Sequence, residues 1–182
     1  MRVIGGSAKG AKLKAVPGDT TRPILDRVKT TLFDILRPKI QQASFLDLFG
    51  GSGGVGIEAL SQGAASCIFL DTAAPAVGVI KDNLAHCKLN NKAEVKQMDA
   101  FTFLRNTAKS FDFIFVAPPQ YKNLWIEAMQ MIAERPHLVN AGGQIIAQID
   151  PKEYEELSLS VFAEADKRKI GNTYLVFYNK CG

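Results

Sequence analysis

A doubly wound α/β sheet with a reversed last strand is the fold class this sequence predicts, and three observations predict it. From residue 44 onward, apolar strand-like runs alternate with segments of helical periodicity. A glycine-rich turn follows the first run, and the chain closes on two consecutive strand-like segments with no helix between them. At 182 residues the chain is long enough for one full core. A hydrophobic content of 47% with 22% charge excludes the disordered and fibrous classes. No run approaches the roughly 20 apolar residues that cross a bilayer, and the start has no signal-peptide stretch.

The elements follow in order. "MRVIGG" and "KLKAV" read as two short strands around a Gly-Lys turn, a hairpin arm. "TTRPILDRVKTTLFDILRP" reads as a helix with Pro23 in its first turn, because Ile24, Val28, Leu32 and Ile35 share one face. "SFLDLF", "SCIFLD", "EVKQMD", "FDFIFV" and "GQIIAQI" are apolar strands separated by helices. "LSVFAEADKRKI" and "NTYLVFYNK" flank a Gly-Asn turn and should run antiparallel. The natural division is residues 1–40, arm and first helix, and 41–182, the α/β domain.

Charge is unevenly spread along the chain. Residues 1–40 carry nine Lys and Arg against three Asp, whereas the rest carries thirteen against fifteen acids. A basic segment confined to the arm suits contact with a polyanion, and a merely solvated surface is the plain alternative. Cys67, Cys87 and Cys181 stand in no zinc or redox spacing, and His86 and His137 are far apart. Reduced thiols, no metal and a cytoplasmic location are therefore expected.

"FLDLFGGSGGVGIEAL" is the most informative stretch. A strand ends at Asp47-Leu48-Phe49, and Gly51, Gly53 and Gly56 match G-x-G-x-x-G before a helix. That spacing first suggests a dinucleotide. Asp47, however, would repel a pyrophosphate while pairing with a cationic amino group, and S-adenosylmethionine carries such a group and no phosphate. Asp71 ends the second strand, where an acid accepts ribose hydroxyls, and Asp99 ends the third, facing an adenine amino group. Each alone is equally a helix cap. Together they describe one pocket, with Asp47, Phe49, Gly51, Ser52, Gly53, Gly56, Asp71, Asp99 and Ala100 as its expected cofactor contacts.

These residues also carry a family resemblance. "DLFGGSGGVGIEALSQGA", the opening "RVIGGSAKGAKL", "TRPILDRVKTTLFDIL", Asn83 in "IKDNL" and the closing "KRKIGNTYLVFY" closely resemble the RsmD-like 16S ribosomal RNA guanine-N2 methyltransferases. The likeness spans nearly the whole chain. It implies a class I S-adenosylmethionine methyltransferase fold with an N-terminal β-hairpin, and a guanine amino group of 16S RNA, free or in the small ribosomal subunit, as substrate. The basic residues Arg2, Lys9, Lys12, Lys14 and Arg22 would then hold RNA phosphates, unless Arg22, next to a proline at the pocket entrance, instead approaches the target base.

Two positions depart from the family pattern. Thr30 stands where an acid is usual, so a local ion pair is expected to be missing. More consequential, the family's Asp-Pro-Pro-Tyr is here Ala117-Pro118-Pro119-Gln120, with Tyr121 beyond. The Asp of that motif accepts an N–H of the target amine, a proline-segment carbonyl accepts the other, and the aromatic stacks on the base. Ala117 has no acceptor. Gln120 offers a replacement oxygen if the loop turns it inward, and Tyr121 or Trp125 offers a stacking ring. A protein that binds cofactor and RNA without transferring methyl is the competing expectation.

Overall fold

The computed structural model describes residues 1–18 and 23–181; Arg22 lies outside them. Seven strands form one sheet in the order β3-β2-β1-β4-β5-β7-β6. β1 (Ser44–Asp47), β2 (Ser66–Asp71), β3 (Ala93–Gln97), β4 (Phe111–Val116) and β5 (Val139–Ile149) pair in parallel. β6 (Phe162–Ile170) and β7 (Thr173–Lys180) form a hairpin, and β7 inserts antiparallel beside β5. This is the class I methyltransferase sheet with its reversed strand.

The central strands are apolar on both faces because helices cover both. Phe45, Phe69, Phe113, Phe115 and Ile146 pack under α1 (Asp26–Ile40), α2 (Gly54–Ser61) and α3 (Ala74–His86). Leu46, Leu70, Ile114, Val116 and Ala147 face α4 (Ala100–Asn106) and α5 (Leu124–Glu134). The strand order reverses between β1 and β4, so a crevice opens at their carboxyl ends, where ligands of open α/β sheets bind.

Two elements differ from the sequence expectation. α1 begins at Asp26, so Pro23 precedes the helix; Leu25, at the N-cap position, is extended (φ −70°, ψ 144°), and Ile24 and Leu25 lie along the crevice. The arm forms a hairpin path, but only the Arg2–Lys12 bridge is strand-like. Across it Val3 N–H donates to the Ala11 carbonyl (2.9 Å), Leu13 N–H to the Met1 carbonyl (3.0 Å) and Gly10 N–H to the Val3 carbonyl (2.8 Å), and other amides tie the arm to α2. Ile4 and Gly5 N–H donate to Glu58, Ser7 N–H donates to the Ser61 carbonyl (2.8 Å), and Ala8 N–H donates to Ser61 Oγ (2.9 Å).

Beneath the arm, Lys29 and Glu58 form an ion pair at 3.1 Å with both side chains fully buried. Lys29 Nζ also donates to the Arg2 carbonyl at 2.6 Å. The cation that follows "DRV" thus finds its acid on α2. Thr30 instead donates its hydroxyl to the Asp26 carbonyl.

Candidate active site

The crevice is a cleft of about 820 Å³, within the range of small-molecule sites. Its first half is built by the carboxyl ends of β1, β2 and β3. Gly53 takes a left-handed conformation (φ 83°) at the N-cap of α2, which turns the chain sharply after β1. Asp47, Phe49, Gly50, Gly51 and Ser52 line the cleft there, and Asp71, Met98, Asp99, Ala100 and Phe101 line it beyond. Gly53 and Gly56 are not among the lining residues. Gly56 stands behind Asp47 and donates its N–H to Asp47 Oδ2 at 3.2 Å, and a Cβ on it would overlap the Phe69 ring.

The three acids hold different positions. Asp47 is 2% exposed, and burial pushes its carboxyl well above the ordinary range; the Gly56 N–H opposes this, and Asp71 adds to it. A buried carboxylate with one amide donor is what a cationic amino group would satisfy. Asp71 accepts Gly51 N–H on one oxygen (2.9 Å) and Ala73 N–H on the other (2.9 Å), which leaves lone pairs toward the cleft. Asp99 caps α4 by accepting from Thr102 N–H (2.9 Å) and Thr102 Oγ1 (3.1 Å). The Asp99 cap is therefore present, and its carboxylate also lines the cleft. Phe49 and Phe101 meet edge to face at 6.3 Å, giving this half an apolar wall. Sequence reasoning missed Met98 and Phe101, although both flank the acid it singled out. The donor set fits S-adenosylmethionine: one buried anion for an ammonium, one acid for a diol, and a flat apolar slot for the base.

The second half lies across β4 and β5. Phe115, Ala117, Pro118, Pro119, Gln120, Leu124, Gln148 and Thr173 line it, with Ile24, Leu25 and Val28 opposite. Ala117 is partly buried against the α1 side of the sheet, and Gln120 is exposed at the loop. Tyr121 does not line the cleft. Its backbone is left-handed (φ 63°), its hydroxyl donates to Asp150 Oδ2 (2.8 Å) and its N–H donates to Glu153 (2.6 Å). Trp125 is buried in the α4–α5 core, so it is a packing residue. Asp150 caps the turn at Pro151, accepting from Lys152 N–H.

The arm and the glycine loop share one residue. Asn83, 1% exposed on α3, donates to the carbonyls of Ser52 (2.9 Å) and Lys14 (3.0 Å) and accepts Lys14 N–H (2.8 Å). Arg2, Lys9, Lys12 and Lys14 are exposed on the arm. Arg2 pairs with Asp26 (3.9 Å) and Lys14 with Asp82 (3.3 Å); among the described residues, Lys9 and Lys12 form no ion pair. No cluster of His, Cys, Asp or Glu able to hold a metal occurs among the described residues, and no described helix is long and apolar enough to cross a membrane.

With this geometry in place, comparison with known proteins is decisive at the level of family. The family model described as "Conserved hypothetical protein 95" matches residues 1–179. The chain belongs to this family. It is 38% identical over 185 residues to YlbH of Bacillus subtilis, with all of both chains covered. It is 37% identical to ribosomal RNA small subunit methyltransferase D of Haemophilus influenzae, over 74% of this chain and 71% of that protein. Among solved structures, yhhF of Escherichia coli superposes with a TM-score of 0.89 at 28% identity, covering 100% of this chain and 98% of its own. An RNA methyltransferase of Salinibacter ruber in complex with S-adenosyl-L-homocysteine shares the fold alone, with a TM-score of 0.66 at 13% identity over 88% of this chain and 94% of its own.

Proposed function

We propose that this family member is an S-adenosylmethionine-dependent methyltransferase of ribosomal RNA that acts on the exocyclic N2 of a guanine in 16S RNA, in the cytoplasm where small subunits mature. The observation that carries the reading is the two-part cleft: a buried Asp47 with Asp71 and Asp99 on one side, and the Ala117-Pro118-Pro119 turn on the other. Relatives named as small-subunit ribosomal RNA methyltransferases support the substrate class.

S-adenosylmethionine supplies, when bound, a methyl group on a cationic sulfur. Everything else falls to the chain. Asp47 would hold the ammonium, Asp71 the ribose hydroxyls, and Asp99 with Met98 and Phe101 the adenine. Carbonyls of the diproline segment would accept an N–H of the target amine and turn its nitrogen toward the methyl. Positioning of this kind is worth roughly 7–11 kcal/mol in favourable cases. A single preorganised acceptor contributes less, about 10²–10³ in rate. Loss of the Asp side chain at position 117 therefore costs rate without removing the main source of acceleration. The guanine must leave its stack to enter the cleft. Exposed Arg2, Lys9, Lys12 and Lys14, with Arg22, would hold phosphates and set the register of the RNA without reading its sequence.

Tritium transfer from labelled cofactor to undermethylated small subunits tests the reading, with cofactor affinity measured on the same preparation. Label in N2-methylguanine is the expected result. Ala117 is the one observation that favours a binder without catalysis, and cofactor binding without transfer to subunits or naked RNA would establish that instead.

A further inference from the structure

Gln148 is a polar residue of the cleft whose chemistry is unaccounted for. It sits near the end of β5, a strand otherwise apolar from Ile145 to Ile149, and it lines the substrate half of the cleft. Its side-chain oxygen is buried and has no hydrogen-bond partner among the described residues. A buried amide oxygen left unpaired costs stability, which gives it a reason to meet a donor that arrives with a ligand.

Its place in the sheet identifies that donor. Val116 of β4 pairs with Ala147 of β5, so the next positions on each strand are Ala117 and Gln148. Val116 and Ala147 face the α4–α5 core, whereas Phe115, Ile146 and Ala117 face the α1 side. By alternation Gln148 shares that second face, and its partner on β7, Leu175, lies in the same cluster. Neighbouring strands are about 4.8 Å apart, less than the reach of a glutamine side chain. The methyl of Ala117 leaves the space above it open to that amide. Gln120, by contrast, is exposed, and Asp150 is engaged by Tyr121 and the Lys152 amide.

We propose that Gln148 supplies, through its side-chain oxygen, the acceptor for the target amine that Ala117 lacks. This rests on the methyltransferase reading above. One N–H of the guanine amine would donate to Gln148 Oε1 and the other to a carbonyl of the diproline turn, which orients the nitrogen lone pair. As the N–C bond forms, the S–C bond breaks and sulfur keeps its electron pair. The nitrogen, now cationic, loses a proton to water. An amide neither needs nor is able to take that proton. Its role is to stabilise positive charge as it develops on nitrogen.

The test compares wild-type protein, Gln148→Met, and Gln148→Met combined with Ala117→Asp or Ala117→Asn, using tritium transfer to undermethylated small subunits and calorimetric cofactor binding. Gln148→Met keeps the volume and removes the acceptor. It should lower kcat by about 10²–10³ with KM for subunits and cofactor affinity unchanged. An acceptor restored at position 117 should recover turnover, which a structural role for Gln148 would not allow. Wild-type turnover in Gln148→Met would overturn the assignment while leaving the methyltransferase reading intact. So would a loss recovered by neither substitution, or one accompanied by weaker cofactor binding. No transfer by the wild-type protein would overturn both.

Discussion

Replacing Lys29 by Met should destabilise the protein and free the arm, through one identifiable charge. Lys29 and Glu58 are both fully buried, 3.1 Å apart. Glu58 also accepts the Ile4 and Gly5 amides and the Gln62 side chain, while Lys29 Nζ holds the Arg2 carbonyl. Removing the cation leaves an uncompensated carboxylate in the core, which typically costs about 3–5 kcal/mol. For a chain of this length each kcal/mol shifts Tm by roughly 2–4 °C, so the expected drop in a calorimetric melt is on the order of 6–20 °C. Adding Glu58→Gln should recover most of that drop, because the amide oxygen still accepts from the arm and the stranded charge is gone. A loss below about 1 kcal/mol for Lys29→Met would refute the reasoning, since it would mean that water reaches the pair. Equal melting of the single and double variants would refute it too, because the cost would then be packing rather than charge.

Three further outcomes are expected. Asp47→Asn should abolish cofactor binding yet melt higher than wild type near neutral pH without cofactor. The folded carboxyl titrates above its unfolded value, so its ionisation penalises folding once pH exceeds about 4 and fully above the folded pKa; the difference should vanish below pH ~4, as melts across pH would show. Asn83→Leu should weaken both cofactor and RNA binding, because one side chain ties the Ser52 and Lys14 carbonyls, and separate titrations with each ligand would check it. Lys9→Ala with Lys12→Ala should flatten the salt dependence of RNA binding by about 1.4 in log–log slope and leave cofactor affinity unchanged.

The sheet was legible because its signals are local. Strands such as "FIFV" are apolar on both faces, and the glycine loop and its acid are adjacent in sequence. What escaped depends on partners distant in sequence. Nothing around Lys29 announces burial, because its acid lies on another helix. The arm's two short runs do pair, Val3 with Ala11 and Leu13 with Met1, but its ties to α2 through Ile4, Gly5, Ser7 and Ala8 reach acceptors distant in sequence. The periodicity that placed Pro23 in a helical turn counted Ile24, which faces the cleft in an extended segment. Gln148 did carry a signal, an amide within the apolar run from Ile145 to Ile149, but its meaning appears only when β5 is laid beside β4.

The two halves of the cleft rest on different strands, which bears on why Ala117 is compatible with an otherwise complete site. Asp47 and Asp71 end β1 and β2 and Asp99 follows β3; the Gly56 amide of α2 holds the first, the Gly51 and Ala73 amides the second, and the Thr102 amide the third. Ala117 follows β4, whose course is set by pairing with β1 and β5 and by the Leu48 amide on the Phe115 carbonyl (3.1 Å). None of these contacts uses the side chain at 117. A carboxylate there would have served only the target amine, so its absence removes an acceptor and leaves the backbone that aims the diproline turn. Under the proposed assignment, Gln148 on the neighbouring strand supplies the acceptor without moving either half.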